Sequence, residues 1–142
     1  MRQTEFEKSA GTVIFRDATS GVMFLLLHYP AGHWDFVKGK IELNEMPRQT
    51  VLREAKEETG LDDLEFIDGF NESIEYDFRY NGKSIHKKVL FFLAKTKIKK
   101  IKISFEHKNF QWLNFEKALE KATYDNAKKV LIKANRLLSQ SL

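Results

Sequence analysis

The apolar positions of the chain fall into blocks of different period. SAGTVIFR (9–16) and GVMFLLLHY (21–29) are nearly continuous apolar runs. The turn-rich DATS between them marks them as paired strands. HWDFVKGKIELNE (33–45) has mixed polarity and no period, as expected of a strand end running into a loop. Asn44 suits a left-handed position in that loop, and Pro47 suits the first turn of a helix. That helix is expected to run to about Thr59, with Val51, Leu52 and Ala55 on its apolar face and Gly60 as its C-cap.

Beyond Gly60, LEFIDGF (64–70), SIEYDFRY (73–80) and HKKVLFFLAKT (86–96) read as strands. Asn81-Gly82 joins the last two and is a type I′ hairpin signal. KIKKIKI (97–103) predicts a strand edge or ribbon with one wet face, and FQWL (110–113) a short strand. NFEKALEKA (114–122) and YDNAKKVLIKANRLL (124–138) read as helices, the second with Ala127, Val130, Leu131, Ala134 and Leu137 on its apolar stripe. Strands, one helix, more strands and two closing helices predict an α+β fold, a mixed β-sheet sandwich flanked by α-helices. With 142 residues, 42% of them hydrophobic, and no repeat or linker, residues 1–142 read as one domain.

Composition removes several classes of function. The absence of cysteine excludes disulfides, thiolate metal sites and a cysteine nucleophile, and fits a reducing, cytoplasmic setting. No signal peptide is evident, and the longest apolar run, VMFLLL at 22–27, is too short to span a bilayer, so no membrane partner is expected. A net charge of +4 suits a polyanionic ligand.

The charges of REAKEETG (53–60) are badly arranged for a helix. Glu54 and Glu58 share a face and repel by about 0.2–0.5 kcal/mol. Glu57 and Glu58 stand at the negative end of the helix dipole, where carboxylates are disfavoured. Glu54, Glu57 and Glu58 lie at i, i+3 and i+4, so their side chains converge. A solvated Glu/Lys face is one reading. A hard divalent cation is the other, because Mg²⁺ prefers oxygen ligands.

Gly39, five residues, Glu45, seven residues, then Arg53-Glu54-Ala55-Lys56-Glu57-Glu58-Thr59-Gly60-Leu61 resembles the Nudix box. That box is the signature of hydrolases acting on nucleoside diphosphates linked to another group. Ala55 departs from it, standing where the family has a larger aliphatic residue. The resemblance implies the Nudix fold, with Glu54, Glu57 and Glu58 as ligands of Mg²⁺ or Mn²⁺ and the Gly39 carbonyl as a further ligand. It implies that Arg53 pairs with Glu45 and Glu57 and orients the ligands, and that water attacks phosphorus with metal assistance. The general base would be Glu57, Glu54, or Glu106 from a later loop, the last also close to the metal.

The flanks narrow the resemblance. HWDFVKGKIE (33–42) and SFEHKNFQWLNFEKALE (104–120) are similar to segments of asymmetrical diadenosine tetraphosphate hydrolases. Val37 and Lys40 depart from that family's Trp-x-x-Pro-Lys-Gly-His pattern. On this resemblance His33, Lys38 and Lys87 contact a polyphosphate, while Tyr76 and Tyr124 sandwich an adenine. Trp34 would pack beneath the site, and His28 and His86 would be structural or exposed. The implied reaction splits diadenosine tetraphosphate into ATP and AMP. Alternatives are an RNA 5′-pyrophosphohydrolase, a nucleoside triphosphate pyrophosphohydrolase, or a non-catalytic nucleotide-binding Nudix module. The last is disfavoured because the box glutamates are retained. The expected partner is a small nucleotide, with nucleic acid only as an RNA 5′ end, and the expected state a monomer or weak dimer. The lysines of 95–103 read as an edge guarded against aggregation rather than a nucleic-acid surface.

Overall fold

In the computed structural model, which describes residues 4–140, eight strands and three helices follow one another along the chain. They are β1 (Thr4–Ala18), β2 (Gly21–His28), β3 (Trp34–Asp35), β4 (Val37–Lys40), α1 (Pro47–Thr59), β5 (Glu65–Phe66), β6 (Glu72–Tyr80), β7 (Lys83–Lys95), β8 (Asn109–Leu113), α2 (Phe115–Lys121) and α3 (Asp125–Gln140). β1 is the hub of the mixed sheet. One side runs parallel to β7, from Thr4 opposite Ser84 to Phe15 opposite Lys95. Its other side pairs antiparallel with β4 over Ser9–Thr12 and with β2 over Phe15–Ala18. β6 and β5 add to β7, while β3 and β8 add to β2.

Alternate residues of β1 and β2 serve opposite faces of the sheet. Val13, Phe15, Phe24 and Leu26 pack into one core with Ala118, Ala127, Val130 and Leu131 of α2 and α3. Ile14, Leu25 and Leu27 pack on the other side with Val37, Ala55 and Leu61. Covering both faces removes the polar alternation of a one-sided strand. That is why these strands read as continuous apolar runs, and the result is a sheet between helices.

Several local expectations hold. Asn44 takes φ 66°, and Asn81 and Gly82 take φ 51° and 75°, as the primed hairpin turn requires. α1 starts at Pro47 and ends at Gly60, whose φ of 77° lets its N–H reach the Lys56 carbonyl at 3.0 Å.

Three expectations are corrected. Residues 97–103 form no strand. The doubled Lys99-Lys100 breaks the alternation, and the segment instead runs irregularly with Ile98, Ile101 and Ile103 against the α1-side core. Lys102 N–H donates to the Thr59 carbonyl at 2.9 Å, and Trp112 Nε1–H donates to the Lys99 carbonyl at 2.8 Å. Within 64–70 only Glu65–Phe66 joins the sheet, because Gly69 turns the chain at φ 89°. Leu52 is 44% exposed, while Glu58 and Thr59 are buried, so the inward face of α1 follows 51, 55, 58 and 59. The helix therefore turns a glutamate inward where periodicity alone chooses a leucine.

Leu26→Ala should cost about 2–5 kcal/mol in urea denaturation. Leu52→Ala should change stability by no more than about 0.5 kcal/mol. Equal costs at the two positions would contradict this assignment of faces.

Candidate active site

Residues 38–61 bring the carboxylates together through one arginine. Arg53, in the middle of α1, donates from Nε to Glu45 Oε2 at 2.8 Å and from Nη2 to Glu45 Oε1 at 3.0 Å. Its Nη2 also reaches the Lys40 carbonyl at 3.1 Å, and its Nη1 reaches Glu54 Oε1 at 2.7 Å. Glu57 Oε2 lies 3.5 Å from the same Nη1. Glu45 is further held by Thr50 Oγ1–H at 2.6 Å and the Glu42 N–H at 3.1 Å. The hydrogen bonds from Arg53 and then Thr50 keep the Glu45 carboxyl well below its ordinary range, at about 2. The loop from β4 is thus clamped to the helix by a bidentate fork.

Glu54 lies directly over Gly39 of β4. A Cβ built at Gly39 would stand 2.2 Å from Glu54 Cδ and Oε1, so only glycine leaves the carboxylate its place. Burial, with the Glu57 and Glu106 charges, pushes the Glu54 carboxyl up, although Arg53 opposes this.

Glu58 is the extreme member of the group. Its residue is 6% exposed, and Oε2 is buried with no hydrogen-bond partner among the described residues. Burial first, then the charges of Glu54, Glu106 and Glu57, push its carboxyl up to about 9, while the Lys38 backbone amide draws it down. His107 Nε2 stands 3.3 Å from Glu58 Oε1 but makes no hydrogen bond. Burial lowers the His107 pKa, so the contact is not an ion pair at neutral pH.

The predicted ligands are therefore neighbours by charge, but they do not form an assembled coordination shell. Among the described residues no three acidic or histidine side chains are arranged to hold a metal ion as they lie. Glu54 is drawn to Arg53, and the side chains of Glu57 and Glu106 are exposed. A divalent cation nevertheless fits the residues present. The orphaned Glu58 oxygen, the mutual repulsion of four carboxylates and the Gly39 cradle all favour one.

A cluster of lysines and tyrosines adjoins the carboxylates. Lys38 Nζ donates to Asp35 Oδ2 at 3.0 Å. Burial works to lower the Lys38 pKa, but the charge and hydrogen bond of Asp35 outweigh it, and the lysine stays cationic. Tyr76 and Tyr124 also act on Lys38 electrostatically, so the three share one locality. Lys87 stands opposite Tyr76 in the β6–β7 register, and burial followed by the nearby Lys38 lowers its pKa. His33 stacks on Tyr29 with centroids 4.7 Å apart and lies 5.3 Å from the Tyr124 ring. Trp34 packs on the α2–α3 side, stacked on His28 at 4.5 Å, and its backbone N–H donates to Thr123 Oγ1 at 2.8 Å. It therefore steadies the residue before Tyr124 and does not floor the carboxylates. His86 is a surface residue bonded to Asp77 at 2.8 Å.

Three groups escape the sequence reading. Asp35 is 3% exposed and its Oδ1 also accepts the Phe36 N–H at 2.7 Å. Its signal was the opposite charge three residues before Lys38 in an otherwise uncharged stretch. His107 follows Glu106 in sequence, yet it is the histidine that is buried beside Glu58. Tyr29 donates to the Phe36 carbonyl at 2.5 Å and meets His107 edge-on at 4.7 Å. Burial, then the Glu58 and Asp35 charges, raise its phenol pKa. Nothing in the apolar run that contains Tyr29 marks it.

A sheet between helices with an arginine-clamped glutamate helix on one face defines a Nudix hydrolase. The chain matches the NUDIX domain family over residues 5–134 and belongs to it. It is 32% identical over 143 residues to the asymmetrical bis(5′-nucleosyl)-tetraphosphatase of Mus musculus, across 92% of this chain and 95% of that protein. It is 31% identical over 135 residues to the dihydroneopterin triphosphate diphosphatase of Haemophilus influenzae, across 89% of this chain and 85% of that protein. The crystal structure of a C. elegans Ap4A hydrolase binary complex superposes with a TM-score of 0.79 at 30% identity, covering 94% of this chain and 98% of that one.

Glu58 gives the metal-free protein a pH signature. Its folded pKa of about 9 lies above the ordinary 4.5, so the folded state holds the proton more tightly than the unfolded chain. Stability from this group is full below about 4.5 and is lost as pH rises to about 9. In EDTA, the urea midpoint of Glu58→Gln should therefore move increasingly above that of the wild type across this window. A difference that does not change with pH would contradict the assignment.

Proposed function

We propose that this hydrolase acts, as a single Nudix domain, on dinucleoside polyphosphates, splitting diadenosine tetraphosphate and water into ATP and AMP. The observation that carries the reading is the junction of the α1 carboxylates with the cluster around Lys38, in a chain alike over nearly its whole length to bis(5′-nucleosyl)-tetraphosphatases. Glu54, Glu57 and Glu58, with the Gly39 carbonyl and Glu106, hold Mg²⁺ or Mn²⁺, an all-oxygen donor set suited to a hard cation. When bound, the ion polarises the phosphoryl oxygens and acidifies the attacking water.

The rest of the chemistry belongs to the chain. Lys38 and Lys87 neutralise the polyphosphate, with Asp35 fixing the Lys38 side chain and His33 adding a donor. Tyr76 and Tyr124 stack the adenine, a contact of about 1–3 kcal/mol per base. Arg53 keeps Glu54 and Glu57 aimed at the ion rather than at one another. Glu54, Glu57 or Glu106 takes the proton of the attacking water. The partner is a small nucleotide, the setting is cytoplasmic, and the protein works as a monomer or weak dimer. Among the described residues no helix is long and apolar enough to cross a membrane.

A second reading, pyrophosphate release from a nucleoside triphosphate or an RNA 5′ end, draws on the likeness to the triphosphate diphosphatase. Product analysis separates the two. With Mg²⁺ in ¹⁸O water, diadenosine tetraphosphate should give equal ATP and AMP with the label in one product. Two ADP, no turnover, or faster release of pyrophosphate from dihydroneopterin triphosphate or triphosphorylated RNA would contradict the proposal.

A further inference from the structure

Phe105 is 97% exposed, a large apolar side chain that none of the described residues covers. A lone exposed aromatic on a mobile loop would be unremarked. Phe105 instead sits at the tip of a turn fastened to the carboxylate helix. Ser104 N–H donates to the Glu58 carbonyl at 3.1 Å, and His107 N–H closes the turn on the Ser104 carbonyl at 3.1 Å. Lys108 N–H then ties the chain to the His28 carbonyl at 2.9 Å, and Ser104 Oγ meets His107 Nδ1 at 3.2 Å. The turn is pinned on both sides, so the backbone that carries the ring is fixed beside the carboxylate helix and need not be ordered on binding.

Its neighbour Glu106 shares the field of Glu54 and Glu58. Consecutive Cα atoms are about 3.8 Å apart, which keeps Phe105 close to that group. Neighbour by neighbour, the order runs from Tyr76 and Tyr124 beside Lys38, with Lys87 opposite Tyr76, through the Lys38 backbone at Glu58 to Glu106 and the adjoining Phe105. An aromatic surface closes each end, with cations and carboxylates between them. A substrate with a base at both ends of a polyphosphate matches that order, whereas a mononucleotide leaves Phe105 idle.

We infer that Phe105 is the stacking platform for the second nucleobase of a dinucleoside polyphosphate, opposite the base held by Tyr76 and Tyr124. The inference rests on the proposed function and adds to it a residue that selects two-based over one-based substrates. Stacking on an aromatic tolerates any base, so the platform accepts a purine or pyrimidine at this end.

The test compares diadenosine tetraphosphate with adenosine 5′-tetraphosphate, which has the same phosphate chain and one base, in Mg²⁺ with the full chain. Phe105→Ala should raise KM for diadenosine tetraphosphate about tenfold with kcat little changed. It should leave both constants for adenosine 5′-tetraphosphate as they are, and Phe105→Tyr should restore the wild-type KM. An unchanged Tm shows that the substitution has not disturbed the fold, as the exposure of Phe105 requires. Equal effects on the two substrates, or none on either, overturn the platform while the proposed function stands on the wild-type products. Failure of the wild type to split diadenosine tetraphosphate removes both.

Discussion

Arg53 holds together two stretches of chain, the loop after β4 and helix α1. It grips Glu45 in the loop and, through the same guanidinium, steers Glu54 on the helix. A planar, always-charged fork can do both at once, whereas a lysine would offer one compact charge. Because Arg53 is engaged with Glu45, Lys40 and Glu54, it cannot neutralise Glu58 deeper in the face. The clamp thus fixes the loop and leaves the innermost carboxylate without a cation of the protein's own.

The rest of the site follows from that shortage. Glu58 is buried beside the β4 backbone and a histidine that burial keeps neutral, with three more carboxylates in its field. Left so, it holds a proton at neutral pH. On the proposed reading the site takes an ion that the chain does not supply, and stability is given up to keep it ready. The same economy appears at Gly39, where the absence of a side chain makes room for Glu54. Lys38 is the next residue back, so the strand that cradles the carboxylate also carries a part-buried cation.

Much of this was legible in the sequence because the spacing is local. Pro47, Gly60 and the three glutamates lie within one helix, and Asn81-Gly82 within one turn, so helix and turn geometry place them without reference to the rest of the fold. What stayed hidden depends on distant neighbours. Glu58 looks polar and outward until the 101–107 segment folds over it, and Leu52 looks inward until α1 is rotated onto the sheet by Val51 and Ala55. The lysines and isoleucines of 97–103 imitate a strand, but the isoleucines are set by packing on the α1-side core and the segment makes no ladder. Phe105 and His107 sit beside Glu106, but only the turn that joins them shows one outward and the other buried.

The central claim is that the buried carboxylate face of α1 is a cation site in which Glu58 is the decisive ligand. Titrating Mn²⁺ into the wild type and into Glu58→Gln, with free ion followed by its electron paramagnetic resonance signal, tests it directly. Loss of a direct ligand should weaken binding by at least the roughly 10-fold that loss of an outer-shell partner costs, while the fold is retained. Equal affinity in the two proteins would contradict the account, because the unpartnered oxygen of Glu58 would then have no ion to meet.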